Sequence, residues 1–453
     1  MRRGLAPSAV LLLCASSAAA SGFATARFGG EHGHPTTENP TAIYYNPAGL
    51  AASEGTHLFA DGLFALRRAS YEHQRESADT EEPPDAQGAN HGKGTLLNFA
   101  AVPMLGASTK IGAFAFGIGA YVPFGGSEVW DDNTAFENDP KYPGPVDGVQ
   151  RWYDIEGTIQ STYLTAAAAA ELWDSGMSIG AGLNLVYSNV NTATARTALG
   201  NDDVTLEGRS QLDVSGWQLA FGAGALFEAV EDQLWLGVSY QSRPNVVGGM
   251  KLAGELRNDF TGSVDVTEVE LHQDLPDVYR AGVRWRPTPE VELRLFGDLT
   301  RWSAFTRHCV ARKGESCALR KDGSAPPDSG AVQNVPRDCK DAFGVRLGGS
   351  YFATRDLELF AGLGYDSNAV PDETLEPSLM DFDDFAAAAG ARVAVLPNLF
   401  VAGSYTNFYE IPRDTRGKSV HPTEASPSNG PDASGKYFEW VGVLDVNVEL
   451  VLP

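Results

Sequence analysis

Strict alternation of apolar and polar residues constrains this chain more than any other feature. In "YFEWVGVLDVNVELVL" the even positions are Phe438, Trp440, Gly442, Leu444, Val446, Val448, Leu450 and Leu452. The odd positions include Glu439, Asp445, Asn447 and Glu449. A period of two places these sets on opposite faces of a strand. The pattern recurs. In "VYRAGVRWR" Tyr279, Ala281, Val283 and Trp285 oppose Arg280, Arg284 and Arg286, and in "LELFAGLGYD" Leu357, Leu359, Leu363 and Tyr365 oppose Glu358 and Asp366. A soluble sandwich buries its apolar face against a second sheet. A membrane barrel turns that face to lipid and keeps polar groups in the lumen. The repeated charge opposite the apolar face favours the barrel.

The strand pattern covers 56–73, 95–106, 110–125, 151–172, 177–199, 210–229, 233–257, 264–286, 291–308, 341–354, 357–370, 383–396, 399–414 and 436–452. These are fourteen strands, an even number, and most exceed the roughly 9–11 residues that cross a bilayer when tilted. Connections near 107–109, 173–176, 230–232, 287–290, 355–356 and 397–398 are tight. Those near 74–94, 126–150, 309–340, 371–382 and 415–435 are long and rich in Asp, Glu, Pro and Gly, and shorter ones near 200–209 and 258–263 fall on the same side. Short periplasmic turns and long outer loops are the mark of an outer-membrane barrel. The expected fold is all-β: a 14-stranded antiparallel transmembrane β-barrel over 56–453. Aromatics at Trp152/Tyr153, Trp302/Phe305 and Tyr437/Phe438/Trp440 suit interfacial girdles. One feature departs from the pattern. Such barrels usually close on a terminal aromatic, whereas this chain ends "ELVLP".

Residues 1–20 read as a cleaved signal peptide: Arg2 and Arg3, the apolar run "AVLLLCASS", then small residues before Ser21. Bulky Leu13 before Cys14 argues against a lipoprotein signal. The formal net charge is -24, and removal of Arg2 and Arg3 makes it -26. Phosphate binding needs basic patches, so nucleic acid is excluded as a partner. Cys309, Cys317 and Cys339 fall in one loop-like stretch, where a single disulfide of unknown pairing leaves one thiol over. Their spacing is not a zinc pattern. The acidic run "WDDNTAFENDP" at 130–140 has the charge to hold a divalent cation against lipopolysaccharide phosphates, but it lacks calcium-loop spacing and reads instead as a solvated loop. No metal or cofactor is expected. The eight His residues form no Ser/His/acid set with neighbouring strands, which argues against a barrel lipase or protease.

Residues 21–55 do not alternate, yet carry Phe23, Phe28, Ile43, Tyr44, Tyr45 and Leu50, too many apolar groups for a solvated tail. A fourteen-stranded barrel has a lumen too wide for its own side chains to fill. Within this segment "TAIYYNPAGL" resembles the Asn-Pro-Ala signature of the FadL/TodX family of outer-membrane transporters for hydrophobic compounds. "GFATARFGG", "YVPFG" at 121–125, "MSIGAGLNLVY" at 177–187 and "LPDVYRAGVRWRPTPEVELRLFGDLTRWSAF" at 275–305 extend the resemblance over nearly the whole mature chain.

The resemblance implies that residues 21–55 form a hatch inside the lumen, with Asn46, Pro47 and Ala48 as a rigid turn. It implies passive uptake of long-chain fatty acids or hydrocarbons, which leave sideways through a gap in the wall. Strand three is where the family kinks, so Gly117, Gly119 and Pro123 are candidates for the lateral opening. Alternation puts Arg280, Arg284, Arg294, Arg346 and Arg392 on lumen faces, as candidate carboxylate ligands or as partners of lumen acids. The expected surroundings are outer-membrane lipid, and the expected state is a monomer in the outer membrane of a Gram-negative bacterium. The alternatives are a general diffusion porin and a structural barrel.

Overall fold

The computed structural model describes residues 26–172, 175–260 and 262–453. The expected signal peptide and Phe23 lie outside the described residues. Six strands run unbroken: β1 (Thr56–His73), β2 (Gly92–Ile111), β3 (Phe114–Val129), β4 (Glu156–Glu171), β5 (Met177–Arg196) and β6 (Gly208–Val230). Four staves are each built from two segments: β7 (Leu234–Gln241) with β8 (Lys251–Phe260), β9 (Ser263–His272) with β10 (Val278–Thr288), β11 (Val291–Thr300) with β12 (Arg307–Arg312), and β13 (Ala331–Pro336) with β14 (Ala342–Phe352). The circuit ends with β15 (Leu357–Asp366), β16 (Asp384–Leu396), β17 (Leu399–Glu410) with the short β18 (Arg413–Asp414), and β19 (Lys436–Leu452). β1 pairs antiparallel with β2 on one side and β19 on the other, which closes a 14-stranded barrel.

Three boundaries differ from the sequence reading. The turn expected at 107–109 lies at Gly112, whose φ of 60° allows a tight reversal that a side chain would strain. The fourth strand starts at Glu156, because Val149–Trp152 forms a 3-10 turn instead. The staves read as continuous over 233–257, 264–286 and 291–308 are interrupted. Pro244 and Pro276 fall in two of the breaks, where a missing N–H cannot continue a ladder. Beyond the breaks, β8, β9, β12 and β13 pair with one another as an outer sheet carried on the far half of β6.

Burial is inverted relative to a water-soluble protein. Phe99 is 67% exposed, Ile118 64% and Leu363 64%, while Asp61, Arg67, Arg294, Glu439, Asp445 and Glu449 are buried. Apolar side chains facing lipid lose nothing by exposure, and the strand ladders of the wall satisfy the backbone polar groups that water cannot reach. Inside, many of the charges are paired. Arg67 forks onto Glu439 at 2.7 and 3.0 Å and reaches Glu128 at 3.2 Å. The girdle expectation is corrected in part. Phe438 is exposed, but Trp152, Trp302, Phe305 and Tyr437 are buried and fill the interior. Trp152 does so through a bond from its indole N–H to Asn90 Oδ1 at 3.0 Å.

Candidate functional site

Residues 26–55 pack against the inner face of the wall. Asn39 Oδ1 accepts from the Thr41 N–H at 2.9 Å and starts the single-turn helix α1 (Ala42–Tyr45). Pro47 then opens a 3-10 turn, Pro47–Ala52, with its fixed φ at the first position where no N–H is needed. Asn46 is the pivot between the two. Its backbone is extended, with φ -165° and ψ 99°, and its Oδ1 accepts from Ala48 N–H at 3.2 Å. Its amide donates to Pro35 O at 2.8 Å and to Ala225 O of β6 at 3.0 Å. One side chain thus ties the segment to itself and to the wall. Ala48 is buried against Leu226 and Trp235, and its carbonyl accepts from Ser178 Oγ of β5 at 3.0 Å. The Ser239 hydroxyl of β7 donates to Tyr45 O. Asn46-Pro47-Ala48 is therefore a nail driven into β5–β7 rather than a free turn.

Elsewhere the polar ties run to carboxylates or to a guanidinium. Gly29 N–H donates to Asp61, His32 lies 2.9 Å from Glu358, and Glu38 pairs with Arg284 at 3.0 Å.

Wall glycines make room for this segment. A Cβ at Gly224 would strike Asn46 Oδ1, one at Gly237 would strike Pro35 O, and one at Gly180 would come within 2.5 Å of Pro47 C and Ala48 N. Gly117 and Gly119, singled out from the sequence as an opening, have the same use. A Cβ at Gly117 would lie 3.0 Å from Leu50 and 3.1 Å from Ile43, and one at Gly119 would lie 3.3 Å from Ile43. Across the seam, a Cβ at Gly106 of β2 would lie 3.1 Å from Pro40. The contact with β3 is thus made by hydrocarbon, and by the rings of Phe28 and Tyr44, each 5.4 Å from Tyr121.

Just beyond, the wall parts. The β2–β3 ladder runs from Ile111↔Phe114 to Met104↔Tyr121 and stops. Past that point β2 stays on β1, while β3 shifts register between Tyr121 and Phe124 and stays on β4. Pro123 sits in the shift, and Pro103 sits opposite on β2, a residue that sequence reading passed over. Neither supplies an N–H, so two positions beside the end of the ladder cannot donate. Farther out, Asn98 Nδ2 to Ser127 O at 2.8 Å draws the strands together again. On the lipid side a wide apolar groove of about 900 Å³ runs past Leu105, Ala107, Ile118 and Ala120, next to Gly106 and Gly119.

On the lumen side a cavity of about 80 Å³ is lined by Tyr44, Tyr45, Phe124, Arg280, Phe296 and Arg346, among others. Ligand pockets hold roughly 300–1,000 Å³, so this one is shut. The five arginines divide sharply. Arg284 pairs with Glu38, Arg294 with Glu292 at 3.4 Å, Arg346 with Asp298 at 2.8 Å and Asp366 at 2.7 Å, and Arg392 with Glu449 at 2.9 Å. Arg280 has no carboxylate within ion-pair distance among the described residues. Its guanidinium lies 4.3 Å from the Tyr44 ring centroid, at the cavity wall.

Of the cysteines, Cys309 and Cys317 form a disulfide in the outer sheet and its loop, and Cys339 is a buried thiol. Burial pushes that thiol up to about 12, which leaves it protonated and unreactive at neutral pH.

Residues 5–411 match the family described as outer membrane protein transport protein (OMPP1/FadL/TodX). An outer membrane protein of Neisseria meningitidis serogroup B is 24% identical over 396 residues, covering 82% of this chain and 80% of that one. A FadL homologue from Pseudomonas aeruginosa superposes with a TM-score of 0.76 at 18% identity, over 95% of this chain and all (100%) of its own. The toluene transporter TbuX of Ralstonia pickettii gives 0.62 at 14% identity, over 92% and 94%. The toluene transporter TodX of Pseudomonas putida gives 0.60 at 14%, over 91% and 94%. Together with the closed barrel and its inverted burial, the match across most of the chain shows that this protein belongs to the OMPP1/FadL/TodX family of outer-membrane transport proteins.

Proposed function

We propose that the protein takes up hydrophobic molecules passively, with the lumenal segment 26–55 as a hatch and the β2–β3 seam as the exit into the membrane. The observation that carries this reading is the apolar contact of Ile43 and Leu50 with Gly117 and Gly119, next to a ladder that ends between Pro103 and Pro123. A small displacement of the hatch from β3 joins the cavity at Phe124 to the lipid-side groove. Each CH2 moved from water into that groove gains about 0.8 kcal/mol, enough to drive a long chain outward without an energy source. A water-filled porin offers no such gradient of contacts. The exposed apolar belt faces outer-membrane lipid, and one chain closes the barrel, so a monomer suffices.

The substrate class follows from Arg280. A guanidinium without a carboxylate partner, at a cavity walled in part by the aromatic rings of Tyr44, Tyr45, Phe124 and Phe296, fits a carboxylate head, hence a long-chain fatty acid. The relatives named as toluene transporters make an uncharged hydrocarbon the competing substrate. A binding titration on detergent-purified protein separates them. The expected result is saturable binding of a long-chain acid that weakens when its carboxylate is masked. Equal binding of acid and hydrocarbon would remove Arg280 from the mechanism, and binding of neither would overturn the uptake reading.

A further inference from the structure

The hairpin loop between β1 and β2 brings together two histidines and an aspartate that the transport path does not use. His73 ends β1, His91 precedes β2, and Asp79 lies in the loop between them. Their side chains are 6%, 18% and 1% exposed. Asp79 Oδ2 lies 3.2 Å from His73 Nε2 and 3.4 Å from His91 Nε2, and all three donor atoms fall within 4.8 Å of one another. Metal bonds of roughly 2.0–2.1 Å in a tetrahedron put neighbouring ligand atoms roughly 3.3–3.4 Å apart.

The outer partners fix the tautomers. His73 Nδ1 lies 2.6 Å from the Ser434 carbonyl, which only accepts, so Nδ1 carries the proton. His91 Nδ1 lies 3.0 Å from Glu82 Oε1. That carboxylate is held by the N–H groups of Gly88 at 2.8 Å and Asn90 at 2.6 Å, so it accepts here too. With Nδ1 engaged outward, the Nε2 atom of each ring faces the same Asp79 oxygen, which also accepts from the Glu76 N–H at 2.6 Å. The other oxygen, Oδ1, is buried without a hydrogen-bond partner. The rings stack 5.6 Å apart at 13°. A cation among the three donors would be held by both rings and the carboxylate at once. A carboxylate or carbonyl behind each ligating histidine is the usual support of such a site.

The geometry points to a divalent transition-metal site with His73 Nε2, His91 Nε2 and the Asp79 carboxylate as ligands and a coordination position left for water. Two imidazoles select zinc-class ions over calcium or magnesium, which take oxygen ligands. The site also has a place in the cap. Through Ser434 it fastens the first outer loop to the loop before β19. Through Thr80 N–H to Asp202 Oδ1 at 2.8 Å and Asn90 Nδ2 to Asp202 O at 2.7 Å, the same loop is fastened to the one before β6. A bound ion is a clasp across the outer mouth.

Calorimetric titration of chelator-treated, detergent-purified full-length protein with Zn2+ tests this. One equivalent should bind, unaffected by excess Mg2+, and Co2+ in its place should give visible absorption bands of a low-coordinate site. Asp79→Asn and His91→Gln should abolish the binding. Glu82→Gln keeps all three ligands and should weaken it by about 10–100-fold. Folding of each variant is checked by its heat-dependent mobility on gels. Zinc binding that survives in folded Asp79→Asn and His91→Gln proteins, or no binding by the parent protein, would overturn the assignment.

Discussion

The lumenal segment meets the wall in two unlike ways. Against β5–β7 it is tied by directional bonds: Asn46 to Ala225, Ser178 to Ala48, Ser239 to Tyr45. Against β3 it rests on hydrocarbon, Ile43 and Leu50 over two glycines. Buried hydrogen bonds fail abruptly, because each group left unpaired costs about 1–3 kcal/mol. Apolar contacts slide, and an apolar ligand replaces them with equivalent ones. On the proposed uptake route, the difference makes the tied side the hinge and the apolar side the door.

Locking each side should give the largest contrast. A cysteine pair Ile43→Cys/Gly117→Cys, oxidised to a disulfide, should abolish uptake of a radiolabelled long-chain acid, and reduction should restore it. A pair Ala48→Cys/Ser178→Cys fixes a side that is already fixed, and should leave the rate within about twofold of the parent. Equal inhibition by both locks would break the comparison.

Loosening is the converse. Asn46→Ala removes the bonds to Pro35 O, Ala225 O and Ala48 N–H at once. The hatch should lose its seat, and single-channel recordings should show long open events absent from the parent. Ile43→Ala removes only apolar contact at the door. It should speed uptake several-fold without raising ion conductance. Conductance that rises as much in Ile43→Ala as in Asn46→Ala would mean the two sides are not different.

Arg280 sharpens the comparison at the cavity. Arg280→Met keeps the volume and removes the charge, and a charge-assisted hydrogen bond is worth about 1.5–3 kcal/mol. The dissociation constant for a fatty acid should rise by about 10–100-fold, with hydrocarbon binding unchanged. Arg346→Met should instead lower the melting temperature, since Asp298 and Asp366 lose their shared partner.

The barrel was legible because alternation is local: each strand declares its lipid face residue by residue, and inverted burial follows once the sheet closes. The breaks in the staves were less so. Pro244 and Pro276 mark two of them, but alternation resumes beyond each and masks the interruption. Asn46-Pro47-Ala48 was legible as a motif but not as a nail, because its partner Ala225 lies 179 residues away. Gly117 and Gly119 were legible as departures in a strand, yet what fills the space over them depends on Ile43 and Leu50. Pro103 was readable in "AAVPMLG". It was passed over because a strand paired on one side tolerates proline, and no local signal says where the neighbour leaves. The arginines were placed on the correct face by parity alone, whereas their partners come from other strands.

The smallest effect tests whether charge holds the door at all. Near β3 the segment leaves the lumen at Glu54, which pairs with Lys110 of β2 at 2.6 Å. That side chain is 84% exposed. Exposed pairs contribute about 0–1 kcal/mol and are screened by salt. Lys110 also keeps a second partner, Glu171, at 2.7 Å. Glu54→Gln should therefore change the initial uptake rate by less than about twofold, at low salt and at high salt alike. Glu38→Gln provides the contrast, because it removes the partner of a buried guanidinium that also stacks 4.0 Å from the Trp235 ring on the tied side. Leaving that charge uncompensated should lower the melting temperature by several degrees. If Glu54→Gln were the more damaging of the two, the door would be latched by an ion pair at its foot, and the apolar contacts at Gly117 would be packing rather than gate.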